Sequence, residues 1–182
     1  TTAYQASFAP PSGGFAQIVI FGQDADDFIQ IADSISIPAC IHAGAGNDNI
    51  KGGSGDDILR GGAGSDVLRG DAGADVFAWR LGDGSTSSVP TDIVMDFTQG
   101  VGGDVLDLQS LLTGETASAV SLDGYLNFSR VGSDTRIEVH SGGAASPTYQ
   151  VILLQGVDLT SAGTLSDQQI IQQLLNTGNA FF

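Results

Sequence analysis

Residues Ala43–Ala78 decide the fold: they read AGAGNDNIK, GGSGDDILR, GGAGSDVLR and GDAGADVFA, consecutive blocks of nine in one register. The sixth place of each block is an aspartate (Asp48, Asp57, Asp66, Asp75). The fourth is a glycine (Gly46, Gly55, Gly64, Gly73) and the eighth is apolar (Ile50, Leu59, Leu68, Phe77). Upstream, Gly22–Gln30 (GQDADDFIQ) falls into the same frame, with Ala25 in the glycine place, Asp27 sixth and Ile29 eighth. A glycine-dense turn permits positive φ and close backbone approach, and the residues that follow it form a short strand. Two blocks close one coil, so residues two blocks apart lie over one another, roughly 4.8 Å apart across strand neighbours. Asp48 then stacks on Asp66 along one edge and Asp57 on Asp75 along the other. A longer coil through IADSISIPACIH lets Asp27 continue the first stack.

Charge makes these stacks demanding. The 182 residues include 6 Lys plus Arg against 21 Asp plus Glu, a formal net charge of −15. Glu115 and Glu138 are the two glutamates, so the acidity is aspartate, the residue that beside glycine suits turns and hard-cation sites. Unit charges about 4 Å apart repel by about 1 kcal/mol in water and about 4 kcal/mol at an effective dielectric near 20. A ladder of aspartates therefore needs cations between its rungs. Carboxylates and turn carbonyls are hard oxygen donors that suit Ca²⁺, whereas one Cys and 2 His leave little material for Zn²⁺. Mg²⁺ demands stricter octahedral geometry. An acidic chain without a basic patch is not the profile of a nucleic-acid binder or of a protein held to anionic membranes. A 41% hydrophobic composition supplies a core and argues against constitutive disorder.

The blocks resemble the nonapeptide G-G-x-G-x-D-x-U-x of the RTX (repeats-in-toxin) calcium-binding proteins. The resemblance implies an all-β fold: a right-handed parallel β-roll of stacked nonapeptide turns, then a β-rich C-terminal cap with a short terminal helix. It also implies several Ca²⁺ ions, each between successive turns on one edge, held by turn carbonyls and two repeat aspartates. Carried onto this chain, one ion meets Asp48 and Asp66 with the carbonyls of Gly44, Gly46, Gly61 and Ala63. A second meets Asp57 and Asp75 with those of Gly53, Gly55, Gly70 and Ala72. A third uses Asp27 and Asp48 with Gln23, Ala25, Ala43 and Ala45, in a turn where Ala25 departs from the glycine pattern.

The nonamer stops after Trp79, which with Phe77 is expected to close the apolar core. Leu81–Thr91 (LGDGSTSSVPT) reads as a flexible loop. In Asp92–Leu112, alternating Ile93, Met95 and Phe97 predict a strand. This segment resembles the one that follows the roll in type I secretion substrates. Asp96 and Asp104 are thereby candidate ligands and Asp92 and Asp107 weaker ones, although each alone also fits a turn or an N-cap. Strands are expected at Ser118–Leu122 and Tyr125–Arg130, joined by Asp123-Gly124, and at Arg136–His140 and Tyr149–Gln155. Ser166-Asp167-Gln168-Gln169 has the form of a capping box, opening a helix with Ile170, Ile171, Leu174 and Leu175 on one face and Gly178 as its stop.

These features divide the chain into a starting linker (1–15), a calcium roll (16–80) and a cap with secretion signal (81–182). No apolar stretch approaches the ~18 residues of a membrane span. Thr1-Thr2-Ala3-Tyr4 shows neither the basic nor the apolar part of a cleavable signal peptide, and the missing initiator Met reads as an excised piece of a longer chain. Cys40, alone in an apolar run, is expected to be buried and inert. The sequence contains no H-E-x-x-H, G-x-S-x-G or P-loop pattern, His42 and His140 are its only imidazoles, and no enzyme is read in it. The expected partners are calcium ions and, during export, the type I secretion machinery, for a monomer secreted to the bacterial cell surface. The C-terminal likeness favours the end of a large adhesin. The alternative is the terminal module of an exported enzyme (a protease or lipase) or toxin whose active domain lies upstream.

Overall fold

A computed structural model describes residues 16–112, 118–143 and 145–181; the starting linker and Glu115 lie outside the described residues. The nonamers become short parallel strands assigned alternately to two sheets. The first sheet takes β1 (Ile18–Asp24), β3 (Ala39–Ala45), β5 (Ile58–Ala63), β7 (Val76–Arg80), β9 (Val105–Ser110) and β13 (Ala180–Phe181) in that order. The second takes β2 (Phe28–Gln30), β4 (Asn49–Gly53), β6 (Val67–Asp71) and β8 (Thr91–Val94). It continues through β12 (Gln150–Leu154), β11 (Asp134–Val139) and β10 (Leu126–Val131). Both sheets thus run without a break across residue 80.

Register explains the core. Ile20, Ile41, Leu59, Phe77, Leu106 and Ala180 stack in one column. Ile29, Ile50, Leu68, Val94 and Leu154 form the facing column. From Ile41 and Ile50 onward these residues are fully buried or nearly so. Because strand side chains alternate, the residues between them face outward. Cys40 is therefore only half-buried on the outer face, its sulfur 3.3 Å from His42 Nε2, not buried as its apolar neighbours suggested. His42 in turn stacks on Phe21, with ring centroids 5.3 Å apart.

The C-terminal half differs from expectation in three places. Ser118–Leu122 is not a strand: Ser118 accepts the Ser121 amide and caps the short helix α1 (Ala119–Leu122). Asp123-Gly124 consequently joins no strands, and the hairpin turn falls at Gly132-Ser133, where Gly132 takes φ 68 between β10 and β11. In β8 the inward residues are Asp92 and Val94, because Val94 registers on Leu68; Met95 is 37% exposed, while Phe97 is buried beyond the strand. The loop after β7 is tied down rather than free. Arg60 pairs with Asp83 at 2.7 Å, the Gly82 amide donates to Tyr149 Oη and the Ser85 amide to the Tyr149 carbonyl.

The terminal helix α2 (Asp167–Thr177) has the expected capping box between Ser166 and Gln169 and a left-handed Gly178 at φ 74. It buries Ile170, Ile171 and Leu174 beside α1 and β10. Leu59, fully buried between Ile41 and Phe77, tests the column directly. Leu59→Ala is expected to destabilise the folded protein by roughly 2–5 kcal/mol, read from denaturant unfolding at fixed calcium concentration.

Candidate metal centre

Each sixth-place aspartate sits where a turn enters its strand, so the strand register carries one carboxylate over the next. Oδ1 of each accepts a main-chain amide from the coil before. Asp48 Oδ1 takes the Asp27 amide at 2.8 Å, Asp66 that of Asp48 at 2.8 Å, Asp57 that of Ala39 at 2.7 Å and Asp75 that of Asp57 at 2.9 Å. The ladder then runs past the last nonamer. Asp92 accepts the Asp66 amide and Asp104 the Asp75 amide, both at 2.9 Å, although the coils have lengthened to 26 and 29 residues. One edge therefore carries Asp27, Asp48, Asp66 and Asp92, and the other Asp57, Asp75 and Asp104, with Ala39 at its start.

The other oxygen of these carboxylates divides the set. Oδ2 of Asp27, Asp48, Asp57, Asp66 and Asp75 is buried and has no hydrogen-bond partner. An ionised oxygen in that state is costly unless something positive meets it. Lysine and arginine do not: the ion pairs of the described residues go to Asp33, Asp71, Asp83, Asp96, Asp158 and Glu138. Among the described residues no three His, Cys, Asp or Glu side chains converge on one point. A cation here must draw on carboxylates in pairs and on main-chain oxygens.

The turns supply those oxygens. Gly22 lies against both Asp27 Oδ2 and the Ala43 carbonyl oxygen, and Gly52 against both Asp57 Oδ2 and the Gly70 carbonyl oxygen; a Cβ at either would fill that oxygen-lined space. At Gly61 and Gly70 a Cβ would collide with Oδ2 of Asp66 and of Asp75. The second place of the turns takes positive φ, at Gly44 (120), Gly53 (112) and Gly62 (109), and Gln23 (85) and Asp71 (70) adopt it without being glycine. Ala25 likewise accepts φ 86, so the first turn keeps a left-handed fourth place despite its methyl. Three of the carbonyls already have a donor: Ala63 O accepts the Gly46 amide at 2.8 Å, Ala45 O the Ala25 amide at 2.6 Å and Gly53 O the Ala72 amide at 3.2 Å. The donor set is oxygen throughout, which fits Ca²⁺.

The acids beyond the nonamers are placed differently. Asp96 accepts the Gly70 amide at 3.1 Å and the Asp71 amide at 2.8 Å, holding a repeat turn from outside. Asp104 Oδ2 accepts the Thr98 amide at 2.8 Å. Asp92 Oδ2 takes the Trp79 indole N–H at 2.6 Å and Gln150 Nε2 at 3.0 Å. Asp107 alternates with inward Leu106 and Leu108 and is half-buried on the outer face of β9. Sequence reasoning ranked Asp92 low, yet Asp92-Ile93-Val94 and Asp104-Val105-Leu106 repeat the Asp-Val-apolar step of Asp66-Val67-Leu68. That triplet was the available signal.

Comparison with known proteins agrees with this geometry. The family model of the RTX calcium-binding nonapeptide repeat matches residues 42–77 in 4 copies. The chain carries an RTX calcium-binding β-roll. Its fold resembles the solution structure of the AlgE6R2 subunit of the Azotobacter vinelandii mannuronan C5-epimerase, with a TM-score of 0.58 and 28% identity over 87% of this chain and 94% of that one. The AlgE6R3 subunit of the same enzyme shares the fold, with a TM-score of 0.53 and 23% identity over 99% of this chain and 86% of that one. No curated protein matches the chain significantly in sequence.

Burial in the RTX roll also shapes its acid response. Desolvation pushes the Asp66 carboxyl up to about 6 and that of Asp75 to about 7, and raises Asp48 and Asp57 as well. Since these values lie above the ordinary 3.8, the metal-free fold holds protons that the unfolded chain releases. These four carboxyls therefore favour the metal-free fold in acid, and that contribution is lost as the pH rises from about 4 to about 7. Calcium needs the ionised form, so its affinity moves oppositely. Between pH 7.5 and pH 5 calcium affinity is expected to fall by on the order of tenfold or more, measured by calorimetric titration at each pH. Asp57→Ala is expected to lose uptake on its own edge while leaving the Asp48–Asp66 edge intact, read from the calcium stoichiometry.

Proposed function

We propose that this RTX module is non-catalytic, folds on calcium outside the cell, and forms the C-terminal end of a large bacterial surface adhesin whose type I secretion signal it carries. The observation behind the calcium part is the row of five buried, unpartnered aspartate oxygens. One ion is assigned to Asp48 and Asp66 with the carbonyls of Gly44, Gly46, Gly61 and Ala63. Another is assigned to Asp57 and Asp75 with Gly53, Gly55, Gly70 and Ala72, and a third to Asp27 and Asp48 with Gln23, Ala25, Ala43 and Ala45. Asp96 and Asp104 join as residues that hold the neighbouring turns, through their bonds to the Gly70, Asp71 and Asp75 amides.

When bound, calcium supplies the positive charge that the stacked carboxylates lack. The chain's own part is to hold each pair in register: Oδ1 is anchored by an amide of the coil before, and Oδ2 is left against the first residue of its own turn. Binding free energy then becomes folding free energy. Extracellular calcium modules typically bind at about 10⁻⁴–10⁻³ M, so the chain stays loose where calcium is scarce and closes where it is abundant. Such a chain passes a channel unfolded and is held outside by mass action. The capped terminal helix supports assigning the export signal to residues 166–182, and a net charge of −15 favours a monomer.

The likeness to modules of a mannuronan C5-epimerase favours a second reading, the terminal module of an exported enzyme. The parent chain ahead of Thr1 separates the two: repeated Ig-like domains support the adhesin, a catalytic motif the enzyme. Circular dichroism is expected to lose the native β spectrum in excess chelator and regain it in millimolar calcium; a native spectrum without calcium would refute the folding switch. In a host with a type I exporter, a slow-folding passenger fused to the whole chain is expected in the medium. Deleting Ser166 onward should retain it in the cell, and unchanged export would place the signal elsewhere.

A further inference from the structure

The two aspartate ladders do not end alike with the rest of their rungs. At Asp27, Asp48, Asp57, Asp66 and Asp75 the inner oxygen has no partner, whereas at the last rung of each edge neutral N–H groups occupy it, the Thr98 amide at Asp104 and two side chains at Asp92. Asp92 Oδ2 receives both Trp79 Nε1 and Gln150 Nε2, and all three residues are buried. On the other edge the final turn is Gln99–Asp104. Its second residue, Gly100, takes φ 104, matching the second-place glycines of the repeats. At Gln23, Gly44 and Gly53 that carbonyl is assigned to an ion; here the Gly100 carbonyl accepts Asn179 Nδ2 at 3.0 Å, and the same nitrogen donates to the Asp104 carbonyl at 2.7 Å. The Gly100 amide donates back to Asn179 Oδ1 at 2.7 Å. Asn179 is 2% exposed and leads directly into β13, which registers on Leu106 of β9.

We infer that these amide and indole donors stand in for the last cation on each edge. Asn179 closes the Asp57–Asp75–Asp104 ladder, and Trp79 with Gln150 closes the Asp27–Asp48–Asp66–Asp92 ladder. An N–H dipole satisfies an oxygen-lined turn without adding a charge that depends on solution calcium. The roll therefore stops binding ions where the C-terminal cap begins, and the closing residues position the ligands above them. Asn179 holds the Gln99–Asp104 turn, Asp104 Oδ1 holds the Asp75 amide, and Asp75 Oδ2 is a ligand atom. Likewise Asp92, fixed by Trp79 and Gln150, holds the Asp66 amide. This inference rests on the ligand role proposed above for the repeat aspartates.

Exchanging a donor for a carboxylate tests it. Asn179→Asp removes the N–H groups and sets a carboxylate against the Gly100 and Asp104 carbonyls; Gln150→Glu sets one against Asp92. Each full-length variant is expected to bind one calcium ion more than wild type, counted by native mass spectrometry and calorimetric titration. Asn179→Leu is expected to gain no ion and to need more calcium to fold. Wild type that binds calcium while neither acidic variant gains an ion would overturn the inference and leave the ligand role standing. Acidic variants that stay unfolded in millimolar calcium also overturn it, because an added ion would restore the turn. Wild type that binds no calcium removes both.

Discussion

The hydrogen bond from a sixth-place amide to the Oδ1 of the aspartate one coil on is what the rest of the structure depends on. It sets the stacking distance of the turns and orients each carboxylate. It also leaves Oδ2 of Asp27, Asp48, Asp57, Asp66 and Asp75 buried without a partner. The arrangement brings like charges together in a chain that already carries −15, and its one lysine and four of its five arginines pair with other acids, as Lys51 with Asp33 and Arg60 with Asp83. The inner hydrophobic columns favour the coil, and the aspartate edges oppose it unless cations are present. Under the proposed function, a fold balanced in this way responds to calcium rather than merely containing it.

The same ladder explains how an irregular C-terminal half attaches to a regular roll. Strands β8 and β9 lie on lengthened coils, yet Asp92 and Asp104 keep the sixth-place bond and Val94 and Leu106 keep the core columns. The second sheet then turns antiparallel through β12, β11 and β10, and the first is finished by β13 after the terminal helix. Cap and roll share two sheets, so the C-terminal segment closes the edge of the roll and does not hang from it.

Much of this was legible in the nonamers, because a register of glycine, aspartate and aliphatic residue specifies turn, rung and core at once. The capping box at Ser166 and the stop at Gly178 were also readable, being local. The failures came where tertiary packing decides. Ser118 caps a helix instead of starting a strand, and Cys40 faces outward because Ala39 and Ile41 claim the inside. Alternating Ile93, Met95 and Phe97 predicted a strand, but β8 ends at Val94 and takes its phase from Leu68 of the preceding coil, which turns Val94 inward. Asn179 carries no sequence signal as a ladder end, since its partners Gly100 and Asp104 are remote in the chain and meet it only when β13 docks.

The most direct measurement is an anomalous difference map from crystals of the protein grown in calcium. The account predicts cation peaks between stacked turns, about 2.3–2.6 Å from Oδ2 of Asp48 and Asp66 and from Oδ2 of Asp57 and Asp75. Peaks confined to outer acids such as Asp26 and Asp56, with the buried oxygens bonded to water instead, would contradict it.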